Sequence, residues 1–177
     1  RASFGSFAPF LLFGITGAGK TEVYLHLVAE ALLEGRQALV LVPEIALTPS
    51  LEAAFGTRFP GARIAVQHSG MAEAERARGW VQSQAGEADI VLGTRLAVFV
   101  PLPRLGLIVV DEEQDMSFKQ RDGLRYSARD VAVYRAREAG APVLLVSATP
   151  SLESLQHALT GRYRLLLSLI HISEPTR

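Results

Sequence analysis

The segment Gly14-Ile-Thr-Gly-Ala-Gly-Lys-Thr21 limits what this chain can fold into more than any other stretch. It fits G-x-x-x-x-G-K-[ST], a loop in which glycines let the backbone turn tightly enough for successive N–H groups to face one anion. The apolar run Phe10-Leu-Leu-Phe13 leads in, and a helical pattern starts at Lys20. That strand–loop–helix context separates a phosphate-binding loop from a chance glycine turn, and the helix N-terminus adds a favourable dipole for anions. Gly14, Ile15, Thr16, Gly17, Ala18, Gly19, Lys20 and Thr21 are therefore the expected ATP-binding residues. Lys20 is expected to reach the β- and γ-phosphates, and the Thr21 hydroxyl to ligate Mg²⁺.

Short apolar runs alternate with amphipathic stretches of helical length. The runs predict strands over 10–14, 37–43, 63–68, 89–94, 107–111 and 142–149. Helices are predicted over 20–33, 47–57, 72–84, 128–138 and 152–159. Ala38-Leu-Val-Leu-Val42 and Val143-Leu-Leu-Val146 are apolar at both odd and even positions. Strands buried on both faces read this way, which favours a mostly parallel sheet with helices on both faces. The expected fold is an α/β P-loop domain. Its longest irregular piece, 112–127, has the length of a functional loop.

Eighteen basic and eighteen acidic residues give a net charge of zero, so any nucleic-acid contact must be local rather than a broad basic face. The absence of Cys excludes disulfides and thiolate metal sites within the sequence. With no run of about 18 or more apolar residues, a cytoplasmic protein without membrane contact is the expectation. The chain opens on Arg1 as though residues had preceded it. Its end, 167–177, reads like translated sequencing adapter and is set apart from a domain expected over 1–166.

Two further motifs follow. In Leu105-Gly-Leu-Ile-Val-Val-Asp-Glu-Glu113 a buried strand delivers Asp111 at its carboxyl end, where α/β sheets place ligands. Asp111 is expected to hold Mg²⁺, and Glu112 to orient and deprotonate the attacking water. Ser147-Ala-Thr149 ends another apolar strand. Ser147 and Thr149 read either as a strand end with helix-capping hydroxyls or as a link from the γ-phosphate region to a moving neighbour.

These three motifs, in this order, resemble those of superfamily 2 helicases. Within them the chain is similar to the primosomal protein N′ family of replication-restart DNA helicases. The similar stretches are 12–24, 41–49, 68–70, 90–95, Asp111-Glu-Glu-Gln-Asp115, Arg125-Tyr-Ser-Ala-Arg-Asp130 and 147–154. The resemblance implies a RecA-like first lobe of a two-lobe motor that couples ATP hydrolysis to 3′-to-5′ translocation at stalled forks. Forked and single-stranded DNA and primosome proteins are the implied partners. An arginine finger on a second lobe and zinc-binding cysteines are implied outside these residues, so this piece is expected to bind Mg-ATP but hydrolyse it feebly.

Where the family usually has His, this chain has Gln114, whose amide can still donate and accept; it is assigned to catalysis and coupling. In 115–127, Phe118, Lys119, Arg125 and Tyr126 are expected to stack on bases and hold phosphates, the alternative being aromatics tucked into the core. Thr48, Thr94 and Arg95 are expected phosphate contacts, against plain capping and surface charge. Trp80 reads as core, His68 as structural, and Arg129 with Asp130 as a local ion pair without chemistry. Two rivals stay open: a related RNA helicase or translocase, and an ATP-binding fork-recognition scaffold that unwinds little.

Overall fold

The alternation of strands and helices closes into one sheet in the computed structural model, which describes residues 5–168. In chain order the elements are β1 (Ala8–Phe13), α1 (Lys20–Leu33), β2 (Gln37–Leu41), α2 (Pro49–Arg58), β3 (Ile64–Gln67), α3 (Glu73–Gln84) and β4 (Ile90–Gly93). There follow β5 (Leu105–Val110), β6 (Lys119–Gln120), β7 (Tyr126–Ser127), α4 (Ala128–Ala139), β8 (Pro142–Ser147), α5 (Leu152–Leu159) and β9 (Arg164–Leu167). Seven strands form one sheet in the order β3-β4-β2-β5-β8-β1-β9, all neighbours parallel.

The double-sided apolar runs pack as their sequence implies. Leu39, Leu41, Ile108, Val110, Val143 and Leu145 face one core, closed by Ala128, Ala132 and Ala136 of α4. Their neighbours Ala38, Val40, Leu107, Val109, Leu144 and Val146 face the other, under Tyr24 and Val28 of α1 and Phe55 of α2. Alternate side chains of a strand point to opposite faces, so one apolar strand serves both cores. The result is an α/β, RecA-like P-loop domain with helices on both faces.

Three features depart from the sequence expectations. The loop over 112–127 contains a two-stranded antiparallel ladder, with Lys119 opposite Ser127 and Gln120 opposite Tyr126. The turn signal was Asp122-Gly123, where Gly123 takes a left-handed φ of 67°. Strand β9 pairs with β1 up to Leu167 opposite Phe13, so the sheet includes the first residue of the stretch set apart as a tail. Residues 169–177 of that stretch lie outside the described residues.

Trp80 corrects the expectation of a core residue, being 38% exposed. Helix α3 approaches the sheet through Gly79 and Ser83. A Cβ on Gly79 would stand 2.4 Å from Gln67 Nε2, so the contact is made by the smallest residue and its bulky neighbour faces outward.

Candidate active site

The order β5-β8-β1 sets three motif-bearing carboxyl ends side by side, the edge at which parallel sheets bind ligands. Gly17 and Gly19 adopt left-handed φ values of 81° and 72°, conformations that residues with a Cβ resist. Gly19 caps the N-terminus of α1 and leaves that end's N–H groups for an anion. Gly14 N donates to Ser147 O at 3.2 Å, which fastens the loop to β8. The Lys20 ammonium, largely buried, sits inside the loop and donates to Gly14 O at 2.6 Å and Ile15 O at 2.9 Å.

The loop and the acidic strand end meet at Tyr24, a residue without a role in the sequence expectations. Tyr24 is 1% exposed, and its hydroxyl donates to Asp111 Oδ2 at 3.3 Å. Burial, with the Asp111 carboxylate beside it, raises the phenol above its ordinary pKa, while a Thr21 hydrogen bond pulls the other way. Thr21 and Asp111 thus converge on one phenol oxygen. Burial and the neighbouring Glu112 carboxylate push the Asp111 carboxyl above the usual range, opposed by Tyr24 and the Lys20 charge. A half-buried carboxylate beside a hydroxyl and a phosphate-type loop suits Mg²⁺, which takes one or two protein oxygens and completes its shell with substrate phosphates and water. Among the described residues there is no group of three or more His, Cys, Asp or Glu side chains arranged for a metal.

Glu112, Gln114 and Ser147 form a hydrogen-bonded row. Gln114 Nε2 donates to Glu112 Oε2 at 2.9 Å, and the Ser147 hydroxyl donates to Gln114 Oε1 at 2.6 Å. Thr149 N donates back to the Ser147 hydroxyl at 2.9 Å. The Gln114 amide, with one donor face and one acceptor face, bridges both groups. Glu112 has a φ of 48°, rare for a residue with a side chain and costing about 1–2 kcal/mol. Such a conformation persists only where its neighbours fix it.

Glu113 is the neighbour that the sequence expectations passed over. Its side chain is fully buried, and its carboxylate accepts from Ser151 N at 2.7 Å, Ser154 Oγ at 2.9 Å, Ser151 Oγ at 3.0 Å and Arg129 Nη1 at 3.2 Å. Arg129 does pair with Asp130, at 2.8 Å, and its guanidinium also reaches the buried Glu113 carboxylate. Burial works against the Arg129 charge, and the Asp130 and Glu113 carboxylates outweigh it, holding the guanidinium above its ordinary pKa. Residues 111–114 form a turn past the end of β5 with Glu112 left-handed, so strand alternation gives no signal for where Glu113 points.

The expected DNA contacts divide. Lys119 and Arg125 are exposed, and with Arg121 and Tyr126 they line a pocket of about 520 Å³ on the β6–β7 hairpin. Phe118 is corrected: it is 1% exposed and packs in the α4-side core, where no base can stack on it. Thr94 is likewise 2% exposed, so its side chain is not presented to a phosphate. Thr48 is exposed and caps α2, accepting from Leu51 N at 3.3 Å. Arg95 turns toward the hairpin, donating through Nη1 to Ser117 O at 3.1 Å and Lys119 O at 3.4 Å. Tyr126 packs edge-on against Phe99, with centroids 5.0 Å apart. His68 accepts from Gly70 N through Nδ1 at 3.2 Å.

Among the described residues no helix is long and apolar enough to cross a membrane. The replication restart protein PriA of Bacillus subtilis (strain 168) is 47% identical over 162 residues, covering 92% of this chain and 20% of that protein. PriA of Synechocystis sp. is 53% identical over 145 residues, covering 81% of this chain and 17% of its own length. The chain thus spans about a fifth of the length of these curated relatives. The structure of RecG bound to a three-way DNA junction superposes with a TM-score of 0.65 at 21% identity, over 95% of this chain and 21% of that one. Domain 2 of the DEAD-box helicase Mss116p, bound to an RNA duplex, gives 0.66 at 12% identity, over 89% of this chain and 60% of that one. At such identities these two structures speak for the fold alone. The model of the DEAD/DEAH box helicases matches residues 9–158, and the chain belongs to that family.

Proposed function

We propose that this chain is the ATP-binding motor lobe of a DNA helicase that restarts replication at stalled forks, moving 3′ to 5′ along one strand. The observation that carries the reading is the row Glu112–Gln114–Ser147 at the carboxyl edge, between the phosphate loop and the acidic strand end. In that reading Gly14 to Thr21 cradle the phosphates, and Lys20 exchanges its loop carbonyls for β- and γ-oxygens. Thr21 and Asp111 would hold Mg²⁺, whose charge would offset that developing on the phosphates. Glu112 orients the attacking water and accepts its proton. Gln114 hands the state of that carboxylate to Ser147 and Thr149.

On the DNA side, the hairpin residues Lys119, Arg125 and Tyr126 hold an unpaired strand through phosphate contacts and stacking, with Thr48 as a further contact. Arg95 acts through the hairpin it grips. The similarity to replication restart proteins over most of the chain supports DNA rather than RNA as the track. An arginine finger from a second lobe completes the site, and such a group is worth on the order of 10³–10⁵ in rate.

The test uses the full-length gene product: ATP turnover with forked DNA, with RNA and with neither, then strand separation on forks of each polarity. DNA-stimulated turnover and unwinding, both abolished by Lys20→Ala, are the expected results. Stimulation by RNA above DNA would move the protein to the RNA translocases. Fork binding with ATP bound but no unwinding, restored by Gln114→His, would make it a recognition scaffold.

A further inference from the structure

Three segments separated in sequence meet at one buried carboxylate. Glu113 follows Glu112 at the end of β5, Arg129 lies in the first turn of α4, and Ser151 and Ser154 open α5. The node is closed around Glu113, while the exposed Asp130 and Glu153 carboxylates face Arg129 from its outer side. Glu113 N donates to Val146 O at 3.0 Å, Arg129 Nη1 donates to the Ser151 hydroxyl at 2.7 Å, and the Arg129 side chain is 9% exposed. A buried charge this fully satisfied fixes the backbone that carries it.

That backbone is the one whose neighbour is strained. Glu112 holds φ at 48° while Asp115 N donates to Glu112 O at 2.8 Å on one side and Glu113 is pinned on the other. Glu112 therefore keeps its left-handed φ, and its contact with Gln114 Nε2, between two fixed backbone bonds. Arg129 in turn sits in the first turn of the helix that β7 runs into directly, because Ser127 ends β7 and caps α4, accepting from Asp130 N at 3.4 Å. A shift of the hairpin therefore arrives at Arg129 within one helical turn.

We propose that Glu113 and Arg129 are positioning residues for ATP hydrolysis: their ion pair, braced by Ser151 and Ser154, holds Glu112 in its left-handed conformation and ties it to the β6–β7 hairpin. The inference rests on Glu112 being the residue that orients the attacking water. It assigns the node no contact with nucleotide or DNA, so both affinities stay while the chemical step suffers. A misplacement of about 1 Å at such a group is worth on the order of 10²-fold in rate.

The experiment compares Arg129→Lys, Glu113→Gln, their double variant and Ser154→Ala in the full-length gene product, reading DNA-stimulated kcat, nucleotide affinity and thermal midpoint. Both single variants are expected to lose roughly tenfold or more in kcat, with nucleotide affinity held within about twofold. The double variant is expected to be no worse than the poorer single, because the two residues act through each other. Ser154→Ala removes one of the four donors to Glu113, and a kcat loss there with an unchanged midpoint carries the inference if the charge variants fold poorly. Turnover retained by the variants in an active enzyme overturns this inference alone. So does an additive double loss, or a fall in nucleotide affinity alongside kcat. No DNA-stimulated turnover in the unsubstituted protein overturns the motor reading and this inference with it.

Discussion

Phe118→Ala separates a core residue from a base-stacking one, and its cost follows from where the ring sits. Phe118 is 1% exposed, and its cluster includes Ala128 and Ala132 of α4, small residues with no side chain to swing into the space left behind. Phe→Ala at such a site costs about 3–5 kcal/mol, the upper part applying where neighbours relax least. For a domain of this size each kcal/mol moves the melting midpoint by about 2–4 °C, so a fall of roughly 6–20 °C is expected. Urea unfolding followed by far-ultraviolet circular dichroism gives the same quantity through the midpoint concentration at unchanged slope. Arg125→Ala, on the exposed hairpin, is the contrast and stays within about 0.5 kcal/mol of the parent. The reasoning is refuted if Phe118→Ala costs less than about 1 kcal/mol while the full-length protein loses affinity for single-stranded DNA. Phe118 would then be a contact of the hairpin rather than its foundation.

Lys20→Ala is expected to weaken Mg-ATP binding by roughly 10–100-fold, the worth of a charged hydrogen bond, in a calorimetric titration; unchanged affinity would remove Lys20 from the phosphate site. Gly93→Ala forces a Cβ to within 2.4 Å of both Ala97 Cβ and Gln67 O, and a loss of about 1–3 kcal/mol in urea unfolding is expected. A neutral result there would mean that β4 and the turn after it are not packed as described. For Asp89, burial opposes the charge, but the Arg63 N–H and guanidinium and the Arg104 charge outweigh it, so its carboxyl lies below the usual value. A depressed carboxyl contributes stability above its unfolded pKa, about 3.9, and loses that contribution as pH falls through the folded value. The stability gap between parent and Asp89→Asn should therefore be present at pH 6 and close progressively below about pH 4; a gap independent of pH would mean the ion pairs contribute nothing.

Much of this domain is local chemistry, and local chemistry is legible in a sequence. Gly14 to Thr21 stand out as a strand–loop–helix motif because the loop is glycine-rich, precedes a helix and carries Lys20 and Thr21 at fixed offsets. The double-sided apolar runs predict a parallel sheet because only strands covered on both faces can afford to be apolar at every position. Helix α1 begins and ends at the predicted residues, since loop geometry fixes its start and Gly35 its end. The hairpin was less visible, with only two paired residues in each strand and a single Asp-Gly turn to announce it.

What the sequence by itself determined is therefore the fold class and the placement of the glycine-rich loop and of the acidic and hydroxylic motifs at neighbouring strand ends. What the tertiary structure decided is which way side chains of mixed character face. Phe118, among charged residues, reads as well for a stacking platform as for a core, and the α4-side core buries it. Trp80 reads as core until Gly79 brings α3 to the sheet through its small face. Glu113 and Arg129 are sixteen residues apart, and Ser151 is farther still, so no spacing rule joins them. The pairing exists because β5, β8 and the starts of α4 and α5 converge at one sheet edge. A buried carboxylate there must find every donor within reach or go unpaired, and that reach is set by the fold.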